Sequence, residues 1–351
     1  MPDVAPASPS AAVPQAFPDY VAARRDAVDA ELAAAYALVP TDDLRRYLYR
    51  PLQDFSAHGG KRIRPALVLM GCAVTGGDES AAMPVAAAVE HFQSAALIHD
   101  DIADESETRR GVPCLHRSEG DGLAINAGDL SLVESFACVA DDTRVPAACR
   151  HAVMVELCEM MMRTVEGQAL DLGWARDGRW DVTCEDYLAM ATLKTAHYSA
   201  ASPLALGAMV AGAPSAQVDA LRSFGLDAGL AFQIQDDVLN VVGDPAAQGK
   251  DFRSDITEGK RTLMVCWALG HGTAEQASEL RRILESGTSD PAGLSRAVSI
   301  LEATGAVDHA RAYAADLADR AATHLEDAGL VPGEALDALL AMPSFFVSRT
   351  A

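Results

Sequence analysis

The chain has 351 residues, half of them hydrophobic, with 28 Lys and Arg against 50 Asp and Glu and a formal net charge of −22. So large an acidic excess argues against nucleic acid and anionic membrane surfaces as partners, since both repel a polyanion. Seven cysteines without CxxC or Cys/His spacing read as reduced thiols of a cytoplasmic protein, not as disulfides or a zinc site.

Residues 1–18 are rich in Ala, Pro and Ser, with no basic start and no sustained apolar stretch. They read as a disordered leader, not a signal peptide. From residue 19 to 351, runs rich in alanine and leucine follow one another, broken by turn clusters such as Gly76-Gly77-Asp78 and Ala211-Gly212-Ala213-Pro214. No alternating strand pattern and no linker interrupts them, so the predicted fold is all-α, one helical bundle. No stretch of 18 or more apolar residues is free of polar breaks, and no stable membrane insertion is expected.

The first chemical signal is Gly59-Gly60-Lys61-Arg62-Ile63-Arg64-Pro65, a glycine-rich loop with three cations that leads into a helix Pro65 can start. Such a loop can bring N–H groups and positive charge to a phosphate. A helix over the apolar run Val85 to Ile98 then ends in Asp100, Asp101 and Asp104. Asp100 and Asp104 are one turn apart and share a face. Alone, this is a solvated acidic helix end. Held together, three like charges call for a cation, and oxygen donors without Cys or a clear His partner suit Mg²⁺. Arg109 and Arg110 follow, before the helix-stop residues Gly111 and Pro113.

Glu166-Gly167-Gln168-Ala169-Leu170-Asp171 places polar groups at helical spacing after Met160 to Met162, which read as core filler. Lys194-Thr195 lies in an otherwise apolar helix; taken alone, Lys194 is a snorkelling surface residue, but pointing inward it needs a partner. A second copy of the acidic pattern follows the run Leu226 to Ile234: Gln233, then Asp236, Asp237 and Asn240. Lys250, Asp255 and Lys260 come within 25 residues of it, on a loop and a helix start.

GGKRIRP, LIHDDIADESETRRGVPCLH, EGQALD, KTA, FQIQDDVLN and GKDFRSDITEGKRT together resemble the motifs of trans-isoprenyl diphosphate synthases of the polyprenyl synthetase family, in that family's order and spacing. The resemblance implies a bundle around a central cavity. Asp100, Asp101 and Asp104 would face Asp236, Asp237 and Asn240 and hold about three Mg²⁺ ions on an allylic diphosphate. It implies that Arg109, Lys194, Lys250 and Lys260 assist the departing diphosphate, and that Thr195 and Gln233 stabilise the carbocation. Isopentenyl diphosphate would sit among Lys61, Arg64, Gln93 and Arg110. The family is usually homodimeric. Two positions depart from its pattern: Asn240 stands where a third Asp is usual, and Gln93 where many members have His.

The growing tail should run down the helix of Asp100, past Ala96 and Phe92, which share its face, with Ala95 beside Ala96. Small residues at 95 and 96 leave the first turn open. Phe92, about 12 Å deeper, forms or narrows the floor. This favours geranylgeranyl diphosphate (C20), with farnesyl, C25 or longer products as alternatives. Two further readings compete: a terpene cyclase on the same fold, against which Lys61, Arg64 and Arg110 argue, and a non-catalytic subunit, toward which Asn240 alone points.

Overall fold

Helix contacts in this protein run through its smallest side chains. The computed structural model describes residues 15–37, 39–243 and 252–349. Its longer helices are α1 (Ala16–Ala35), α2 (Arg50–Ala57), α3 (Ile63–Val74), α4 (Glu79–Ala103), α5 (Asp121–Ala140), α6 (Ala147–Arg176), α7 (Cys184–Ala191), α8 (Ser202–Val210), α9 (Ser215–Val242), α10 (Leu263–His271), α11 (Ala274–Glu285), α12 (Pro291–Ala303), α13 (Ala306–Thr323) and α14 (Glu334–Ser348). A Cβ on Gly71 of α3 would lie 2.2 Å from the Leu204 carbonyl oxygen, and one on Gly207 of α8 would lie 1.9 Å from that of Val68. The two helices therefore pack backbone against backbone, which larger residues forbid. The all-α expectation holds, with buried clusters on either side of α9.

The ends follow local chemistry. Asp78 caps α4, accepting from the Ser80 N–H, and Thr183 with Asp186 forms a capping box that opens α7. Between α7 and α8 the chain continues as a π-helical segment, Thr192–Ala201. Such widened turns recur at functional sites.

Three sequence expectations change. The leader was expected to reach residue 18, but Ala16 to Pro18 are already helical. Phe17 is buried against Phe345 and Phe346 of α14, at 5.4 and 5.5 Å between ring centroids. A hydrophobic anchor outweighed an Ala/Pro-rich composition; residues 1–14 lie outside the described set. Second, the Arg pair is not at a helix end. It lies on a two-stranded hairpin, β1 (Thr108–Arg109) with β2 (Val112–Pro113), turned at Arg110 and Gly111, both at positive φ. Third, α5 is long and apolar enough to cross a membrane by length and composition. It carries Asp129 and Glu134 and packs along α4, so its length serves the bundle.

Candidate active site

Two helices end in acid. Asp100 and Asp101 lie in the last turn of α4 and Asp104 is its C-cap, while Asp236 and Asp237 lie in the last two turns of α9. Carboxylates at a helix C-terminus oppose the macrodipole, at roughly 0.3–1 kcal/mol each. A fold that brings both acidic ends to adjoining pockets needs positive charge there.

The partners divide the acids into two sets. Asp100 lines the main cavity and accepts from Gln168 Nε2 at 2.8 Å. Burial, then the nearby Asp100, pushes the Asp104 carboxyl up to about 6. Asp101 points elsewhere: it is buried and pairs with Arg109 Nε and Nη2 at 2.7–2.9 Å. Successive helical side chains diverge by roughly 100°, so the middle acid of the motif serves the hairpin. Arg109, expected on the diphosphate, is its partner.

On α9, Asp237 is buried and accepts from Tyr187 Oη at 2.6 Å and Gln233 Nε2 at 2.7 Å. Burial raises its carboxyl, and so does Asp255, whose own carboxyl burial also raises. Asp236, more exposed, accepts from Arg349 Nη2 at 2.7 Å, and that guanidinium lies 4.4 Å over the Phe232 ring. Asn240 organises the following turn. Its Oδ1 accepts from the Asp255 N–H at 3.2 Å and its Nδ2 donates to Ser254 Oγ at 3.1 Å.

Two of the four cations expected at the diphosphate, Lys194 and Lys260, line the site. Lys194 points inward and pairs with Asp171, which removes its surface reading. Lys260 meets Glu258 at 2.6 Å and Asp255 at 3.7 Å. Lys194, Thr195 and Gln233 border two adjoining pockets, one with Asp100 and the other with Asp237, Asp255 and Lys260. Lys250 lies outside the described residues. Gly167 lets the Lys194 backbone approach α6: a Cβ there would sit 2.3 Å from the Lys194 backbone nitrogen.

A third pocket is lined by Lys61, Arg64, Gln93, Arg110 and Phe232. Gly60, at φ +140°, turns the loop there in a conformation that favours glycine. Arg110 donates to the Gly59 carbonyl, and Gln93 Oε1 is buried without a partner. The middle cation behaves differently. Arg62 is 5% exposed and binds Glu90 at 2.6 Å, Asp29 at 2.7 Å and the Ser56 carbonyl at 2.6 Å. Arg261 is likewise buried, 3.9 Å over Trp180.

Below Asp100 lies an apolar cavity of about 450 Å³, walled by Ala96, Leu132, Thr164, Val165 and Leu172 and reaching Phe92 and Tyr198. Ala96 and Phe92 line it as expected. Ala95 does not: it is fully buried in packing, one position round the helix.

The donor set suits a hard divalent cation. Among the described residues no three acidic, His or Cys side chains converge as a ready-made metal cage. Mg²⁺ needs none, since it takes one or two carboxylates and completes its shell with water and substrate phosphate. Burial first, with neighbouring carboxylates, raises the carboxyls of Asp104, Asp237 and Asp255.

Sequence reasoning missed Tyr198 and Arg349, the bond from Tyr187 to Asp237 and the inward roles of Gln168 and Asp171. Polar spacing had flagged the last two. An isolated tyrosine or a C-terminal arginine carries no such signal.

Residues 45–301 match the family model described as polyprenyl synthetase. A short chain isoprenyl diphosphate synthase of Methanothermobacter thermautotrophicus is 40% identical over 305 residues, 86% of this chain and 90% of that protein. A geranylfarnesyl diphosphate synthase of Aeropyrum pernix is 36% identical over 295 residues, covering 83% and 91%. A solved geranylgeranyl pyrophosphate synthase of Corynebacterium glutamicum, complexed with isoprenyl diphosphate and magnesium, is 31% identical. It superposes with a TM-score of 0.82 over 96% of this chain and 99% of that one. With the acidic helix ends, the basic loop and the apolar cavity in one bundle, the chain belongs to the polyprenyl synthetase family as a trans-prenyl diphosphate synthase.

Proposed function

We propose that this protein is a Mg²⁺-dependent synthase that condenses isopentenyl diphosphate with an allylic diphosphate and stops at twenty carbons, as geranylgeranyl diphosphate. The observation that carries this reading is the apolar cavity whose lining includes Asp100, Ala96 and Phe92. Asp100, Asp104, Asp236 and Asp237 would hold the Mg²⁺ ions, with Asp101 and Asn240 supporting from the positions described. Bound there, the metal would neutralise charge developing on the departing diphosphate.

The chain's own groups supply the rest. Lys194 and Lys260 present ammonium groups to the allylic diphosphate as its C–O bond breaks and the electron pair leaves with the diphosphate. Thr195 and Gln233 turn oxygen dipoles toward the allylic cation. Lys61, Arg64 and Arg110 bind the second diphosphate, and Gln93 turns its NH₂ group toward it, since a diphosphate offers only acceptors. The isopentenyl double bond attacks the cation, a carbon–carbon bond forms, and the proton lost passes to the released diphosphate. No protein base is needed.

The test is a product assay with Mg²⁺, isopentenyl diphosphate and, separately, dimethylallyl, geranyl or farnesyl diphosphate, followed by dephosphorylation. Geranylgeraniol is the expected main prenol. Geranylfarnesol would overturn the product length, and hydrocarbons formed without isopentenyl diphosphate would overturn elongation. Phe92→Ala is expected to lengthen the product by at least one isoprene unit; an unchanged profile would remove Phe92 from the floor.

The working form we propose is a cytoplasmic homodimer, consistent with seven free cysteines. Ile125 and Val133 of α5 and Val155, Met162 and Val165 of α6 are exposed, up to 63%. Val165 and Leu172 also wall the cavity, so a second copy on this face would cover an apolar patch and seal the tail site at once. Light scattering should give twice the chain mass, and Val133→Asp with Met162→Asp should halve it. A monomeric wild type would remove this interface.

A further inference from the structure

We propose that Tyr198 sets product length together with Phe92, and that Arg64 holds it in place. This deepens the elongation reading and rests on it.

The floor of the cavity is a joint between two helices. Phe92 rises from α4 and Tyr198 from the π-helical segment, and both line the space below Asp100. Their ring centroids are 5.8 Å apart with planes at 87°, the edge-to-face arrangement aromatic pairs favour. Lys194 and Tyr198, four apart in a widened helix, share a face. The segment that carries the head-group lysine therefore also carries half of the floor. Removing one ring leaves the other in place, so each ring alone sets only part of the depth.

Arg64 decides where the tyrosine ring stands. Its guanidinium lies 4.3 Å over that ring, and its Nη2 donates to Ser199 Oγ at 2.7 Å. Its Nε is buried without a partner. A planar cation stacked on a face and pinned at one end fixes the ring more firmly than apolar packing alone. Arg64 also lines the basic pocket, so it borders that site directly and touches the tail cavity's lining through Tyr198. Ser199 is buried and lines neither site, which makes it a positioning residue that can be changed without altering either lining.

The test compares prenol profiles of the full chain. Tyr198→Ala should raise the ratio of longer to original product about tenfold or more, the discrimination that one lost hydrocarbon contact gives. Tyr198→Phe keeps the ring and should leave the profile unchanged. Tyr198→Leu serves if the alanine variant does not fold, and should give an intermediate shift. Ser199→Ala should shift the profile the same way, less strongly, because Arg64 loses the hydroxyl that pins it against the Tyr198 ring. A wild-type profile from both Tyr198→Ala and Tyr198→Leu would overturn the proposal, and so would equal shifts from Tyr198→Phe and Tyr198→Ala. If wild type elongates nothing, the elongation reading itself fails. Calorimetric binding of thiodiphosphates with 15-, 20- and 25-carbon tails then decides the role of Tyr198: acceptance of the longest tail only by Tyr198→Ala supports it, and identical tail preferences overturn it.

Discussion

Asp100→Asn should lower kcat by about 10²–10³-fold, the effect of removing one group that fixes transition-state charge, while the protein stays folded. The amide keeps an oxygen for Gln168 Nε2, so the local hydrogen bond survives. What is lost is the negative charge beside Asp104. That charge has a second, opposite consequence. In the folded protein the Asp104 carboxyl is pushed from its ordinary value of 3.8 to about 6, by burial first and by Asp100 next. Above pH 3.8 the unfolded chain gives up this proton while the folded chain keeps it. Stability of the metal-free protein therefore falls as pH rises from about 4 to about 6 and levels above that, as far as this group is concerned. Asp100→Asn should flatten the fall. Melting temperatures in chelator across this window, set beside kcat with Mg²⁺, check both halves. A variant with unchanged turnover, or with a steeper loss of stability, would contradict the assignment.

Arg62→Ala should destabilise the fold by about 3–5 kcal/mol, the usual penalty for leaving one member of a buried ion pair alone. Glu90 sits in the interior with Arg62 at 2.6 Å, and Asp29 and the Ser56 carbonyl complete the guanidinium's partners. Lys61→Ala, one residue earlier on an exposed side chain, should leave the denaturation midpoint in place and raise the KM for isopentenyl diphosphate. The double change Arg62→Met with Glu90→Leu should recover much of the lost stability, because apolar replacements of a buried pair are often neutral or better. Chemical denaturation of the three variants reads this out; an unchanged midpoint for Arg62→Ala would show that the pair is not structural.

The contrast between Lys61 and Arg62 states what a motif can and cannot convey. Composition and the succession of alanine-rich runs were enough for an all-α bundle, since an apolar run without breakers has few other ways to satisfy its backbone. The acidic clusters, the glycine-rich basic loop and EGQALD were legible because each gathers the needed groups within a turn or two of helix. A motif is a string, however, and a helix turns each successive side chain by roughly 100°. Asp100 and Asp101 thus part company, one into the cavity and one onto Arg109. Lys260 and Arg261 border one pocket but take different partners, Asp255 and Glu258 for the first and the Trp180 ring for the second, and Ala95 leaves the wall that Ala96 forms.

Contacts between distant segments had no local trace. Tyr187 reaches Asp237 across 50 residues and Arg349 reaches Asp236 across 113. Phe92 meets Tyr198 where α4 and the π-helical segment come together. The linear order of residues was sufficient for the fold class and for the chemistry gathered at the cavity mouth. Which acid faces that mouth, which cation is buried and which side chains line the cavity below follow from packing, because each depends on the angle and distance between helices that no single stretch of chain contains.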